Sequence, residues 1–393
     1  MIEFDDLIAP MSREEFIRDY WTKSYLRIPG VAGRFSGLFT WDELDSVLEQ
    51  HRLFPPRVKL FKDGKEIDPA QYVMGSHMGA PRLDPGGLAI SVADGATLIL
   101  NDAHEVSPRV RLLMHKFQDA FRIHAYANLY AAWHSQKAFD LHWDAQESFV
   151  FQLSGKKRWR VYKPTRLYPM ENDVDQPAPP TGNPFWAGVM KEGDILYVPR
   201  GWWHVAMPLN EPSLHLTVSM SPPKNIDFLE WAVEKLRQHH EVRADFPIVD
   251  GVAAHGACVR SMTRFLDGVL NDESIAEFLT RWDANISPCP RIRLLHASYE
   301  QFAPLNPGSR VRLAGLHSLP LLPVEDYYEF HAVGKLWSVP RVLKTPLSLL
   351  RNTHDLSIAE LLATLNDAVD RTDLIKSLGV LARAGIVLVE KSD

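Results

Sequence analysis

Alternating and apolar segments are concentrated in the central third of the chain. Segments rich in β-branched and aromatic residues fit short strands at 125–132, 147–153, 158–162, 195–198 and 214–220. Clusters of Gly, Pro and Asn separate some of these segments. Many short strands divided by turns are typical of a small antiparallel barrel or jelly roll, so the pattern predicts a mainly β core.

Helical patterns flank this core on both sides. Upstream, Ser12 and Glu15 form a capping-box pattern, an apolar strand is expected at 96–100, and further helices are expected over 41–51 and 108–121. Downstream of Pro222, apolar residues recur at helical spacing: Phe228, Leu229, Ala232, Val233 and Leu236. We therefore expect a β domain with an N-terminal α/β extension over residues 1–222, and a helical domain over residues 223–306.

The remaining residues, 307–393, are expected to form a third domain. Ser357 and Glu360 make a second capping-box pattern before Leu361, Leu362 and Leu365, a helix is expected over 372–384, and a strand over 386–389. This order of helix, helix and strand is typical of a winged helix. From residue 345 onward there are five Lys and Arg against seven Asp and Glu. Because a DNA-reading helix needs a basic face, we expect a docking or structural module instead.

Composition narrows the class of protein. The chain has 393 residues, 46% of them hydrophobic, and a formal net charge of −6, which does not favour a general nucleic-acid binder. The only two cysteines, Cys258 and Cys289, cannot make a disulfide framework. The first ten residues lack the apolar stretch of a signal peptide, and no apolar run has membrane-spanning length. We therefore expect a cytoplasmic protein that binds neither nucleic acid nor membrane.

Two segments of the predicted core carry candidate metal ligands. One is His142-Trp-Asp144, and the other is Gly193-Asp-Ile-Leu-Tyr-Val-Pro-Arg-Gly-Trp-Trp-His204. On a strand, residues i and i+2 share a face, so His142 and Asp144 would point the same way and His204 would come from a second strand. Two imidazoles and one carboxylate are the ligand set of non-haem Fe(II) oxygenases. Two alternatives remain open: zinc, which uses the same ligand types, and plain surface or loop positions for these residues.

A lysine on the same predicted core suggests an anion site. In the basic segment 156–160, strand parity puts Lys157 and Trp159 on the apolar, inward face. A buried ammonium without a partner is very costly, so Lys157 needs an anion, such as the distal carboxylate of 2-oxoglutarate. The alternative is a solvated basic hairpin.

With these motifs, the chain resembles the JmjC-type 2-oxoglutarate oxygenases of the cupin superfamily, and most closely their ribosomal-protein hydroxylase branch. The residues that carry the resemblance are Asn128-Leu-Tyr130, His142-Trp-Asp144, residues 149–160, the Gly193–His204 segment and Leu214-His215-Leu-Thr-Val-Ser219. The loop at 134–139 departs from the family pattern, which leaves the substrate open.

The resemblance implies a double-stranded β-helix (jelly-roll) catalytic domain, a helical dimerisation domain and a C-terminal winged helix. It implies Fe(II) at His142, Asp144 and His204, and the C5 carboxylate of 2-oxoglutarate at Lys157. Further residues are expected to line the co-substrate pocket: Asn128, Tyr130, Ser219 and His215. O2 would be the second co-substrate, and the protein would be a homodimer.

The function that follows is hydroxylation of a protein or peptide side chain, with a ribosomal protein as one candidate, coupled to conversion of 2-oxoglutarate to succinate. Three alternatives stay open on the sequence: an N-methyl demethylase, a tailoring hydroxylase of peptide natural products, and a non-enzymatic cupin-type binding protein.

Overall fold

The structure is a computed structural model, and it describes residues 4–75, 79, 81–121, 123–173, 175–249, 251–285, 305–313, 321–332, 335–352, 356–364 and 371–390. The chain divides into two compact units, Met1–Pro222 and Pro223–Asp393. The further division near residue 306 stays a prediction.

The first unit is built on antiparallel strands. The strands are β1 (Leu26–Ile28), β2 (Val58–Lys62), β3 (Lys65–Glu66), β4 (Val73–Met74), β5 (Arg82–Leu83), β6 (Thr97–Leu100), β7 (Ala125–Ala132), β8 (Glu147–Ser154), β9 (Lys156–Tyr162), β10 (Trp186–Lys191), β11 (Ile195–Val198), β12 (Trp203–Pro208) and β13 (Ser213–Met220). An eight-stranded sheet has the order β1-β11-β8-β13-β7-β6-β2-β3, and a three-stranded sheet has the order β10-β9-β12. The predicted mainly β core is confirmed.

The two sheets pack through one apolar layer. Val150 and Val198 of the larger sheet lie in the same buried cluster as Trp159, Val161 and Met190 of the smaller sheet. The other side of the larger sheet is also buried, since alternate residues of β7 and β13, such as Leu129 and Leu216, belong to a second cluster. Side chains alternate along a strand. The central strands of the larger sheet therefore direct one set of side chains toward the space between the sheets and the other set toward the flanking helices.

Helices cover that second face. They are α1 (Phe4–Ile8), α2 (Arg13–Asp19), α3 (Trp41–Gln50), α4 (Pro85–Ala93), α5 (Ala103–Val106) and α6 (Pro108–Phe121). The capping box of α2 forms as predicted, with Glu15 N donating to Ser12 Oγ at 3.1 Å. Phe117 of α6 packs edge-on against Phe4 of α1 and Phe149 of β8, with ring centroids 5.5 and 5.1 Å away. Burial of these aromatic faces fixes the helices on the sheet.

The second unit begins with helices α7 (Asn225–Leu236), α8 (His240–Arg243), α9 (Gly251–Val269) and α10 (Asp272–Asn285). It continues with β14 (Arg310–Leu313), β15 (Leu322–Val324), β16 (Tyr327–Ala332), β17 (Lys335–Pro340), α11 (Lys344–Asn352), β18 (Leu356–Ser357), α12 (Ile358–Ala363), α13 (Arg371–Arg383) and β19 (Val387–Glu390). The predicted capping box at Ser357 and Glu360 forms. Leu365 and Cys289 lie outside the described residues. Dimerisation and the winged-helix assignment stay predictions.

Candidate metal centre

The two segments that carry the candidate ligands lie side by side. His204 is the second residue of β12, whereas His142 and Asp144 precede β8 in a loop. His204 N donates to His142 O at 2.7 Å, and His142 N donates to His204 O at 3.1 Å. The expectation that 142–144 is a regular strand was therefore wrong. Its backbone is held by long-range hydrogen bonds to the other segment, which local alternation does not reveal.

One ligand atom from each of His142, Asp144 and His204 lies within 4.8 Å of the others, and no other group of this kind occurs among the residues that the structure describes. His204 Nε2 is 3.4 Å from Asp144 Oδ2, and His142 Nε2 is 4.0 Å from Asp144 Oδ1. These separations let a single cation bridge the three side chains.

A backbone carbonyl group orients each of the two imidazoles. The Nδ1–H of His142 donates to Asp140 O at 2.7 Å, and that of His204 donates to Trp202 O at 3.0 Å. Each Nε2 therefore faces the shared space, as in metal-binding histidines oriented by a backbone carbonyl. Burial, and then the neighbouring His142, lower the pKa of His204. The donor set consequently fits a divalent transition metal.

The turn between β11 and β12 sets the position of His204. Gly201 has φ +81°, a conformation that favours glycine, and its N–H donates to Asp144 O at 2.9 Å. A Cβ at this position would lie 2.5 Å from Pro169 Cδ. The sequence pattern Pro-x-Gly before His204 is thus explained by a close approach of the 163–185 loop to this turn.

A cavity of about 250 Å³ opens beside the three ligands. Its lining residues are Tyr130, Ala138, Phe139, His142, Asp144, Ser148, Val150, Lys157, Trp159, Val198, His204, Ala206, His215 and Thr217. Of the expected pocket residues, Asn128 and Ser219 are not in this lining. Asn128 lines a separate cavity. Ser219 contacts Ser148, which lines the cavity beside the ligands, with 3.5 Å between the two hydroxyl oxygens.

Sequence reasoning missed Thr217 and Phe139 as cavity residues. Thr217 shares the inward face of β13 with His215 and Ser219, so strand parity alone could have found it. Phe139 lies in the loop before His142, where no periodic signal exists.

Lys157 is buried at the cavity, with 3% of its surface exposed, and burial lowers the pKa of its ammonium to about 7. Its Nζ donates to His215 Nδ1 at 3.2 Å, and within the described parts of the chain it has no carboxylate partner. The ring of His215 in turn stacks on Tyr130, with centroids 4.6 Å apart and planes 1° from parallel. A buried cation that contacts only a neutral imidazole is a site for an anion.

Comparison with known proteins agrees with this geometry. Residues 100–228 match the JmjC domain family, and the expected resemblance is confirmed. The chain is 33% identical over 221 residues to the bifunctional lysine-specific demethylase and histidyl-hydroxylase NO66 of Drosophila persimilis, covering 54% of this chain and 31% of that protein. It is 32% identical over 234 residues to ribosomal oxygenase 1 of Gallus gallus, covering 57% of this chain and 37% of that protein. The chain thus spans about a third of the length of these relatives.

Solved structures extend the likeness in fold beyond this domain. An X-ray structure of Escherichia coli ycfD matches with a TM-score of 0.61 and 17% identity, covering 97% of this chain and 99% of that one. A structure of YcfD, a ribosomal oxygenase from Escherichia coli, in complex with cobalt and 2-oxoglutarate matches with a TM-score of 0.56 and 17% identity, covering 97% of this chain and 99% of that one. At this identity the likeness concerns the fold.

Across the described residues, the structure contains no helix long and apolar enough to span a membrane.

Proposed function

We propose that this chain is an Fe(II)- and 2-oxoglutarate-dependent hydroxylase of a protein or peptide side chain. The observation that carries the proposal is the arrangement of three metal-ligand atoms within 4.8 Å beside a cavity that also holds a buried lysine without a carboxylate partner among the described residues. The names of the relatives, a histidyl-hydroxylase and a ribosomal oxygenase, support the same chemistry.

His142, Asp144 and His204 would hold the iron, and Lys157 would bind the distal carboxylate of 2-oxoglutarate. Bound iron, 2-oxoglutarate and O2 would together supply the oxidising power that inserts one oxygen atom into a substrate C–H bond, while 2-oxoglutarate becomes succinate and CO2. The protein itself contributes binding, orientation and exclusion of water.

Polar residues around the cavity would orient these groups. His215 accepts the hydrogen bond of Lys157, which directs the ammonium inward. Asn128 Oδ1 accepts from Asp102 N at 3.0 Å, and Tyr130 lines the cavity. Ser219 Oγ lies 3.5 Å from Oγ of Ser148, which lines the cavity. We assign Asn128 and Ser219 to this supporting layer and Tyr130 and His215 to the cavity wall.

The size of the cavity favours a macromolecular substrate. About 250 Å³ must hold the metal and the co-substrate, so most of a substrate has to lie outside and insert one side chain. Two exposed apolar residues, Leu167 and Tyr168, precede Pro169, which approaches Gly201, and the Arg200 guanidinium lies over the Tyr168 ring at 5.6 Å. A ribosomal protein is the candidate that the relatives' names suggest.

Demethylation is the second candidate, because one relative is named as a lysine-specific demethylase as well. Oxidation of an N-methyl group releases formaldehyde, whereas hydroxylation of a side chain does not. Measuring formaldehyde during turnover of a substrate therefore distinguishes the two activities.

The second unit would serve assembly and docking. We propose that residues 223–306 form a dimerisation domain and residues 307–393 a winged helix that contacts protein. A chain with two cysteines suits the reducing cytoplasm.

The proposed activity predicts that succinate formation from 2-oxoglutarate, measured with Fe(II) in air and a lysate protein fraction as the substrate source, is lost in His142→Ala. Removal of one of three ligands leaves too few to hold the metal in this geometry. His240→Ala, which removes an exposed histidine of α8, should retain wild-type turnover. Equal succinate formation by His142→Ala and the wild type would contradict the proposal.

A further inference from the structure

The smaller sheet carries a line of positive charge on its outer face. Strand β9 alternates, so that Lys157 and Trp159 line the cavity while alternate side chains face the other way. Three basic side chains lie on this outer face and are exposed: Lys156, Arg158 and Arg160. Lys191 of β10 is directly opposite Lys156 in the ladder and is exposed on the same face. These four residues form a basic stripe, which none of the roles assigned above uses.

Acidic side chains do not neutralise the basic stripe. Strands β9, β10 and β12 contain no Asp or Glu. Within the described residues, no ion pair with a carboxylate is found for Arg158, Arg160 or Lys191. Lys156 Nζ lies 3.9 Å from Glu211, and the two side chains are 51% and 38% exposed. An exposed pair at this distance gains little, so the charge of the stripe remains available to a ligand.

Uncharged residues surround the two arginines on the outer face. The residues opposite them in the ladders are Val189 and Ala187 of β10 and Met207 and Val205 of β12. Glu192, which follows the last residue of β10, accepts a hydrogen bond from Gly33 N at 2.7 Å and is held by the loop after β1. An anion at the stripe therefore meets small or apolar side chains between the cations, and these three strands offer no competing carboxylate.

The stripe is a local feature that the net charge of the chain, −6, conceals. That acidic balance was the ground for expecting no nucleic acid. At physiological ionic strength, however, exposed charges act over about 8 Å, so a ligand at the stripe responds to the cations beneath it. Successive outer residues of a strand are about 6.7 Å apart, which places the cations of β9 in a regular line. Since guanidinium groups bind phosphate through two parallel hydrogen bonds, the stripe is complementary to a chain of repeating phosphates.

An aromatic residue continues the same face. Tyr162 follows Arg160 by two positions on β9 and is partly exposed. Its neighbour across the ladder is Trp203, which is 5% exposed and donates its indole N–H to Thr165 Oγ1 at 3.0 Å. Aromatic rings beside a basic track are the stacking surfaces on which proteins hold the bases of single strands. Neither a glutamate-rich peptide nor a lipid headgroup brings planar bases to such a ring, so the face favours nucleic acid.

We propose that the outer face of the smaller sheet binds single-stranded RNA, with the basic stripe on the phosphates and Tyr162 against a base. RNA is the occupant because single-stranded stretches with accessible bases are typical of RNA, whereas duplex DNA keeps its bases stacked inside. The face spans only a few nucleotides, so the affinity falls in the range of non-specific binding, about 1–100 μM at physiological salt. This surface lies on the other side of the sheet from the cavity, and its role does not depend on the proposed hydroxylase activity.

The test is fluorescence anisotropy of a short fluorescein-labelled oligouridylate titrated with the full chain at several salt concentrations. Four phosphate contacts on a single strand predict that the affinity falls about 50-fold between about 50 and 200 mM salt. Arg158→Gln with Arg160→Gln leaves two contacts, so the oligouridylate should bind more weakly and the same change in salt should cost only about sevenfold. Lys156→Gln with Lys191→Gln should behave alike, and decides the case if the arginine variant does not fold.

Three further variants separate charge, position and stacking. Arg260→Gln with Arg264→Gln removes the same charge from two exposed arginines of α9, and should keep the wild-type affinity and salt dependence. Arg158→Lys with Arg160→Lys keeps the charge of the stripe and should keep its salt dependence. Tyr162→Leu should weaken binding roughly fivefold at every salt concentration, because stacking of a base is not ionic.

The outcomes that would overturn the proposal are distinct. No binding of the oligouridylate by the wild type at about 50 mM salt removes it outright. Equal losses in the stripe variant and the α9 variant would show that net charge, and not this face, causes the binding. An oligoglutamate peptide or phosphatidylserine vesicles that bind through Arg158 and Arg160, with the oligouridylate unbound, would assign the stripe to a protein or a membrane instead. Unchanged binding by Tyr162→Leu would contradict the contact with a base.

Discussion

At the scale of single residues, we expect Lys157 to make the proposed binding of 2-oxoglutarate depend on pH. Burial lowers the pKa of its ammonium to about 7, so the empty site loses its charge as pH rises through that value. A bound carboxylate favours the ammonium, and binding above pH 7 therefore takes up a proton. We expect the affinity for 2-oxoglutarate to fall by up to about tenfold per pH unit between about pH 7 and pH 8.5. Calorimetry on the Mn(II)-loaded protein measures this slope.

Lys157→Arg is the matched variant, since a guanidinium keeps its charge throughout this range. The affinity of this variant for 2-oxoglutarate should vary less with pH than that of the wild type. Calorimetry repeated in buffers of different ionisation enthalpy should detect no proton uptake from residue 157 when 2-oxoglutarate binds. Identical slopes for the two proteins would show that another group causes the dependence.

The sequence predicts some residues of the site well and others not at all. Lys157 follows from parity, because the alternation of buried and exposed residues in β9 matches the pattern of its sequence. The hydrogen bond from Tyr197 to Glu147 could not be predicted, since the two residues are 50 positions apart and both look like ordinary strand positions. Local patterns report which face a side chain occupies, but not which distant side chain it meets.

At the scale of elements, the turn after β11 depends on Gly201. Its φ is +81°, and a Cβ on its backbone would lie only 2.5 Å from Pro169 Cδ, so any side chain is strained there and also displaces the loop. We expect Gly201→Ala to lower the free energy of unfolding by about 1–3 kcal/mol and to weaken metal binding. Urea unfolding and Co(II) titration measure the two effects.

Gly182 provides the control, because it has a φ of +101° in the same loop but no atom within 4 Å of a Cβ. Gly182→Ala carries the cost of its backbone conformation without a clash, and should leave metal affinity unchanged. If both alanine variants weaken metal binding alike, the close approach at Pro169 is not what positions the turn.

Strands and helices with a regular pattern of apolar residues were predicted best from the sequence. β7 and α6 have the predicted bounds because each has a regular apolar face. β10 was not predicted, since it is partly exposed and contains Gly188. A strand carrying His204 was predicted, but the bounds of β12 were not, because it begins directly after a turn. The 142–144 segment was given the wrong structure because its shape depends on the turn at 199–201 and not on its own alternation.

At the scale of the whole molecule, the second unit has several exposed apolar side chains close together in the sequence. Between α8 and the first turn of α9, Phe246, Ile248, Val249 and Val252 are 61%, 79%, 91% and 88% exposed. Clusters of this kind mark contact surfaces. We expect the chain to sediment as a dimer at micromolar concentration. The double variant Val249→Asp, Val252→Asp should sediment as a monomer, because the new carboxylates of both copies would be buried in the contact without a cationic partner. Val31→Asp changes an equally apolar residue, 72% exposed in the first unit, and should leave the dimer intact. A monomeric wild type, or a dimer that survives the double substitution, would contradict assembly through this surface.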